Sequence, residues 1–131
     1  MIHNSQGPDW AASLVASIKR ADEALDAEGF LQLLDEEVIF RLGSQSSVLG
    51  KNAVRGVVRQ LFAMLNGLRH DVQRVLTDRN TVVFEAEVTY ELKRGPSLTL
   101  PYVDVLTVGA NNLISDYRIY IDLAPMMAAV S

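Results

Sequence analysis

Cysteine is absent from this 131-residue chain, and histidine occurs only at positions 3 and 70. The lack of cysteine excludes disulfides, thiolate metal sites and cysteine nucleophiles together. Two histidines are too few for a multi-histidine metal centre; no metal and no organic cofactor is expected. No apolar run approaches the roughly 18 residues that a membrane span needs, so no membrane partner is expected. Met1 to Trp10 is polar and lacks the basic and then apolar profile of a secretory signal. With cysteine also missing, a cytoplasmic location is the expectation. Twelve Lys and Arg stand against sixteen Asp and Glu, a formal charge of −4. Without a long basic run, that balance argues against a nucleic-acid partner. Ser44, Ser46 and Ser47 form no Gly-x-Ser-x-Gly elbow. Gly-rich phosphate loops and metal-ligand spacings are missing as well. Carboxylates, tyrosines and arginines remain as reactive material.

What is present suits a single domain over residues 1–131, with 49% hydrophobic residues and 21% charged ones. Residues 1–8 are expected to be flexible. The apolar tail over 123–131 is expected to pack on the body or on a partner subunit. Pro8-Asp9 suggests a turn and a helix cap. Trp10, Leu14, Ile18, Ala21 and Leu25 then recur at helical spacing, with Lys19, Arg20, Asp22 and Glu23 on the opposite face. Gly29 interrupts, and Phe30 to Leu34 suggests a second short helix. Val38 to Leu42 reads as a strand and Gly43 to Ser47 as a loop. A third helix is expected from about Asn52 to Leu65, ended by Asn66-Gly67.

From Arg69 onward the apolar period changes to two. Four strands are expected, at Arg69–Leu76, Thr81–Leu92, Ser97–Val108 and Leu113–Asp122, joined by turns into an antiparallel meander. The order of elements predicts an α+β fold: a curved sheet wrapped around helices, with an apolar concavity between them suited to a small molecule.

Asp104 lies in a strand otherwise nearly free of charge, where a carboxylate needs a partner or a proton. A four-residue turn after Val108 would pair positions summing to 221 and set Asp104 opposite Tyr117, on one face. Asp104 is then either an acid/base group beside a phenol or the partner of a structural arginine or backbone amide. On the long strand, Glu85, Glu87 and Thr89 share one face. Either that face is solvated while Val82, Phe84, Ala86 and Val88 face the core, or the faces are inverted and Glu87 enters the pocket. His70 is a lone histidine, structural or exposed unless it lines the cavity, where it titrates near neutral pH. Arg118 and Asp122 suggest fold or interface pairing.

Three stretches carry a family resemblance. They are Phe30-Leu31-Gln32-Leu33-Leu34-Asp35-Glu36-Glu37-Val38-Ile39-Phe40, then Leu49-Gly50-Lys51-Asn52-Ala53-Val54, then Tyr117-Arg118-Ile119-Tyr120-Ile121-Asp122-Leu123-Ala124-Pro125. In their order and spacing the chain resembles the SnoaL-like (polyketide cyclase and ketosteroid isomerase-like) branch of the nuclear transport factor 2-like superfamily, over about Trp10 to Pro125. The resemblance implies a cone-shaped, cystatin-like α+β barrel with a deep pocket and a homodimer. It places Asp104 where ketosteroid isomerases carry the protonated Asp of their oxyanion hole. The segment of their proton-abstracting Asp reads Phe40-Arg41-Leu42 here, and their oxyanion Tyr aligns near Ser17. Against limonene epoxide hydrolase, the Arg-x-Asp pair falls at about Glu85 and Glu87, and the Asp of Trp-Arg-Asp corresponds to Ile119. The water-positioning Tyr and Asn of that enzyme fall near Phe40 and Leu42. Both comparisons turn Glu85 and Glu87 toward the cavity.

The expectation is therefore a cofactor-independent acid/base enzyme of isomerase, cyclase, dehydratase or hydrolase type. Its substrate is a small apolar carbonyl or hydroxyl compound. Asp104, Tyr117 and Glu87 are the catalytic candidates, and His70, Glu85, Phe40, Leu42 and Ile119 the substrate-binding ones. The alternative is a non-catalytic binder of a hydrophobic ligand, or a dimeric interaction module.

Overall fold

The computed structural model describes residues 8–130. His3 and the expected flexibility of residues 1–7 lie outside the described residues. Helix α1 spans Asp9–Glu23 and short helix α2 spans Ala27–Leu31. Strand β1 covers Leu34–Leu42 and β2 covers Val48–Leu49. Helix α3 runs over Lys51–Ala63. Strands β3 (Leu65–Asp78), β4 (Thr81–Leu92), β5 (Ser97–Val108) and β6 (Ile114–Ile121) follow, and helix α4 covers Ala124–Val130.

One sheet carries the fold, in the order β2-β1-β6-β5-β4-β3. The meander from β3 to β6 is antiparallel, as tight turns between consecutive strands require, whereas β1 runs parallel to β6. The sheet is curved and unclosed, with β2 and β3 as its edges. Its inner face packs on α1, α2 and α3. Phe84, Ala86 and Val88 of β4, and Leu100, Tyr102 and Leu106 of β5, are buried there. Among the described residues no helix is long and apolar enough to cross a membrane.

Helix α1 differs from its expected orientation. Its buried residues are Ala11, Val15, Ile18 and Ala21, whereas Trp10 is 42% exposed. The inward stripe keeps Ile18 and Ala21 but is turned by about 45°, roughly half a residue, from the expected one. The helix ends in paired bonds from Leu25 N–H to the Asp22 carbonyl and from Asp26 N–H to the Ala21 carbonyl, both 2.9 Å. This is a Schellman closure with Leu25 in the left-handed region, φ 53°. Asp26 then caps α2 by accepting from Gly29 N–H at 3.0 Å, so Gly29 lies inside that helix and does not interrupt it.

Helix α3 ends at Ala63, earlier than Asn66-Gly67 suggested. Leu65 already pairs with Leu92, and Gly67 sits at a register shift opposite Glu91. A β-bulge there uses the glycine that looked like a helix terminator. Strand β2 was not foreseen, being two residues within a polar loop. The tail does pack on the body: α4 buries Met126, and its Ala129 carbonyl approaches the Gly95 turn between β4 and β5.

Candidate functional site

An apolar cavity lies between the inner face of the sheet and the helices, with about 50 Å³ open to the centres of water-sized molecules. Val57, Val58, Leu61 and Phe62 of α3 and Phe30 of α2 form one wall. Phe40 and Leu42 of β1, Ile119 and Ile121 of β6, Leu68 of β3 and Val88 of β4 form the others. Into this lining the fold inserts six polar side chains: Asp22, His70, Tyr90, Tyr102, Asp104 and Tyr117.

Asp104 is 2% exposed. The Tyr117 hydroxyl donates to its Oδ2 at 2.9 Å, while its Oδ1 is buried without a hydrogen-bond partner. The pair forms although the ladder differs from the expected one. Asp104 is opposite Ile119 and Tyr117 is opposite Leu106, a register sum of 223 in place of 221. A slip of two residues preserves the face, because side chains alternate with a period of two. Tyr117 therefore reaches Asp104 diagonally. Its ring packs against Phe30 and Phe40, with centroids 5.4 and 5.5 Å away. Burial drives the Asp104 pKa well above the carboxylate range, opposed by the Tyr117 bond and assisted by nearby Asp22. Burial thus favours the protonated form of Asp104. Burial, and then the Asp104 charge, push Tyr117 upward too.

His70 projects from β3 with its side chain 10% exposed. Its backbone N–H donates to Glu23 Oε2 at 2.7 Å. The same oxygen lies 3.4 Å from Nδ1, a contact that does not complete a hydrogen bond, and Asp22 Oδ2 lies 3.7 Å from Nε2. The ring meets Tyr102 edge-on at 5.9 Å. Burial lowers the His70 pKa, with Lys19 adding to the effect and Glu23 opposing it. Burial thus favours the neutral imidazole.

Asp22 is the cavity residue that sequence reasoning missed, having been placed on the solvated face of α1. Rotation of the helix brings it inward, with its side chain 18% exposed. Burial, and next the neighbouring Glu23 charge, push its pKa up to about 8. A signal was present. Asp22 follows Ala11, Val15 and Ile18 at spacings of four, three and four, which is the buried stripe itself.

Of the residues singled out beforehand, the cavity gathers Asp104, Tyr117, His70, Phe40, Leu42 and Ile119. Glu87 and Glu85 are not among its lining and require correction. Alternation along β4 sends Phe84, Ala86 and Val88 inward and both glutamates to the outer face. There Glu85 pairs with Arg74 at 3.0 Å, and Glu87 stands opposite Asp71 and Pro101. Glu87 therefore lies on the opposite face of the sheet from Asp104. Arg118 pairs with Asp116 at 2.8 Å, while Asp122 caps the Ala124 N–H. Among the described residues no three His, Asp or Glu converge in a metal-binding arrangement.

The fold is thus an open, curved α+β sheet with a buried acid in an apolar cavity. The SnoaL-like domain profile matches residues 16–117, and the chain belongs to that family. Among curated proteins nothing matches. Solved structures share the fold at low identity. A SnoaL-like polyketide cyclase, so described, from Jannaschia sp. CCS1 is 17% identical, with 95% of this chain and 98% of that one covered at a TM-score of 0.80. An NTF2-like protein of unknown function from Burkholderia pseudomallei is 17% identical, covering 95% and 99% at 0.82. An epoxide hydrolase of limonene epoxide hydrolase-like type from M. tuberculosis is 17% identical, covering 92% and 88% at 0.74.

Proposed function

We propose that the chain is a cofactor-independent acid/base enzyme acting on a small, largely apolar carbonyl or hydroxyl compound. The observation that carries this reading is Asp104, whose one oxygen is held by Tyr117 while the other has no protein partner. A neutral carboxylic acid so placed donates its proton, or a hydrogen bond, to a substrate oxygen. Low polarity around it strengthens that bond as negative charge develops. Tyr117 orients the carboxyl. His70, kept neutral by burial, accepts a proton from substrate carbon or from water, and Asp22 beside Nε2 completes the second acid/base unit in place of Glu87. Acid and base on different walls suit enolisation, dehydration or ring closure. The fold shared with a polyketide cyclase and an epoxide hydrolase is compatible with each, although fold alone assigns no chemistry.

The test uses a panel of cyclic ketones and β-hydroxy ketones in D2O, followed by NMR for α-deuteration or loss of water. Asp104→Asn is expected to lower turnover by about a hundredfold, the usual effect of removing one donor to a developing oxyanion. His70→Gln is expected to lower it comparably. Turnover unchanged in Asp104→Asn would remove that residue from the mechanism. Binding with no turnover of any compound would favour the non-catalytic binder.

A further inference from the structure

The charge inventory of the cavity is one-sided. Two carboxyl groups, Asp22 and Asp104, line it, and no lysine or arginine does. The nearby Lys19 lies in a separate outer groove and contacts Glu23 at 3.9 Å. Asp104 Oδ1 is buried and unpartnered. Aromatic rings of Phe40, Tyr90, Tyr102 and Tyr117 surround the two acids. Neither acid ionises readily in this space, because no counter-charge is supplied by the protein. A ligand that brings its own positive charge removes that obstacle.

We propose that the cavity binds small apolar amines as ammonium ions, with Asp22 as the principal counter-ion, Asp104 Oδ1 as a further acceptor and the aromatic rings as the apolar jacket. An ammonium offers several donors to the two carboxyl groups, and its charge is attracted to aromatic faces. Its hydrocarbon part fills the space beside α3, where Val57, Leu61 and Phe62 present no polar group. Inorganic cations lack that apolar part and leave this wall unfilled. On binding, the amine keeps its proton, and the neutral Asp22 carboxyl releases one to the solvent as it becomes a carboxylate. Groups facing Asp22 from neighbouring elements are His70 on β3, Tyr90 on β4, Tyr102 and Asp104 on β5 and Tyr117 on β6, with Glu23 beside it on α1. The proposal rests on the cavity alone and not on the catalytic reading. An amine so bound competes with any substrate for the acids.

Isothermal titration with cyclohexylamine and with its neutral isostere cyclohexanol, at pH 6.5 in two buffers of different ionisation heat, tests it. The amine is expected to bind about tenfold or more tightly than the alcohol, with close to one proton released per amine bound. Asp22→Asn is expected to abolish both the preference and the proton release while retaining the cooperative melt of the parent protein. Equal or tighter binding of cyclohexanol, amine binding without proton release, or no saturable amine binding at millimolar concentration overturns the proposal. Each of these results leaves the deuteration assay of Asp104 to stand or fall separately.

Discussion

At Asp104 the two carboxyl oxygens have different surroundings: one accepts from Tyr117, and the other meets no donor. Removing the phenol by Tyr117→Phe leaves Oδ2 unsatisfied and is expected to cost about 1–3 kcal/mol of stability in denaturant titration. It also raises the Asp104 pKa further, because the lost bond favoured the charged form. Asp22 carries a pH dependence of definite sign. Its folded pKa, about 8, lies above the unfolded value near 3.8. The folded state therefore binds more protons than the unfolded chain between these values, and stability falls as pH rises through that window. His70 acts in the opposite sense below pH 6.5, since its folded pKa is lowered. The decline attributable to Asp22 is cleanest between pH 6.5 and 8. Thermal melts over that range should show falling stability, and Asp22→Asn should make the profile shallower. An unchanged slope in the variant would place the acid in water.

Helix α1 shows how far periodicity carries at the scale of an element. Trp10 and Leu14 attracted the apolar stripe because they are large, yet the helix buries the smaller Ala11 and Val15 beside Ile18. Close approach of helix to sheet favours small residues, and no weighting by hydrophobicity alone reveals it. The test is a pair of truncations followed by urea unfolding. Ile18→Ala is expected to cost about 2–4 kcal/mol, as for a buried aliphatic, and Trp10→Ala less than about 1 kcal/mol. Equal costs would contradict the rotation. In the sheet the alternation was legible, and the common face of Asp104 and Tyr117 followed from it even with the register wrong by two, while the resemblance turned that face toward the cavity. The side of β4 that faces inward was not settled by alternation, since either face could be solvated. Charge decides it: Glu85 and Glu87 reach Arg74 or water on the outer side, and have no counter-ion within. Gly67 was misread because a glycine after a helix and a glycine at a bulge look alike in sequence.

For the molecule as a whole, the order of helices and strands sufficed to predict the curved α+β sheet and an apolar concavity beneath it. The resemblance added the family, which the matched region from residue 16 to 117 shows. Neither singled out the second acid of the cavity, because Asp22 enters it through the packing angle of α1, on the stripe of Ala11, Val15 and Ile18. The outer face of the sheet presents Val83, Val103 and Val105, half-buried, with exposed Tyr120. We propose this face as the seam of a homodimer. Light scattering at micromolar concentration should report twice the 14.4 kDa chain mass, and Val103→Lys should shift it toward one. A single-chain mass in the parent protein would remove the dimer from the account.

Burial in the apolar cavity favours the protonated form of Asp104, which is expected to persist at physiological pH. Carbon-13 NMR of protein labelled at aspartate carboxyl carbons measures this directly, with Asp104→Asn identifying the resonance. The expected result is an Asp104 signal at the protonated position at pH 7, where exposed aspartates have ionised. A signal at the carboxylate position at pH 7, titrating with an ordinary aspartate midpoint, would contradict it.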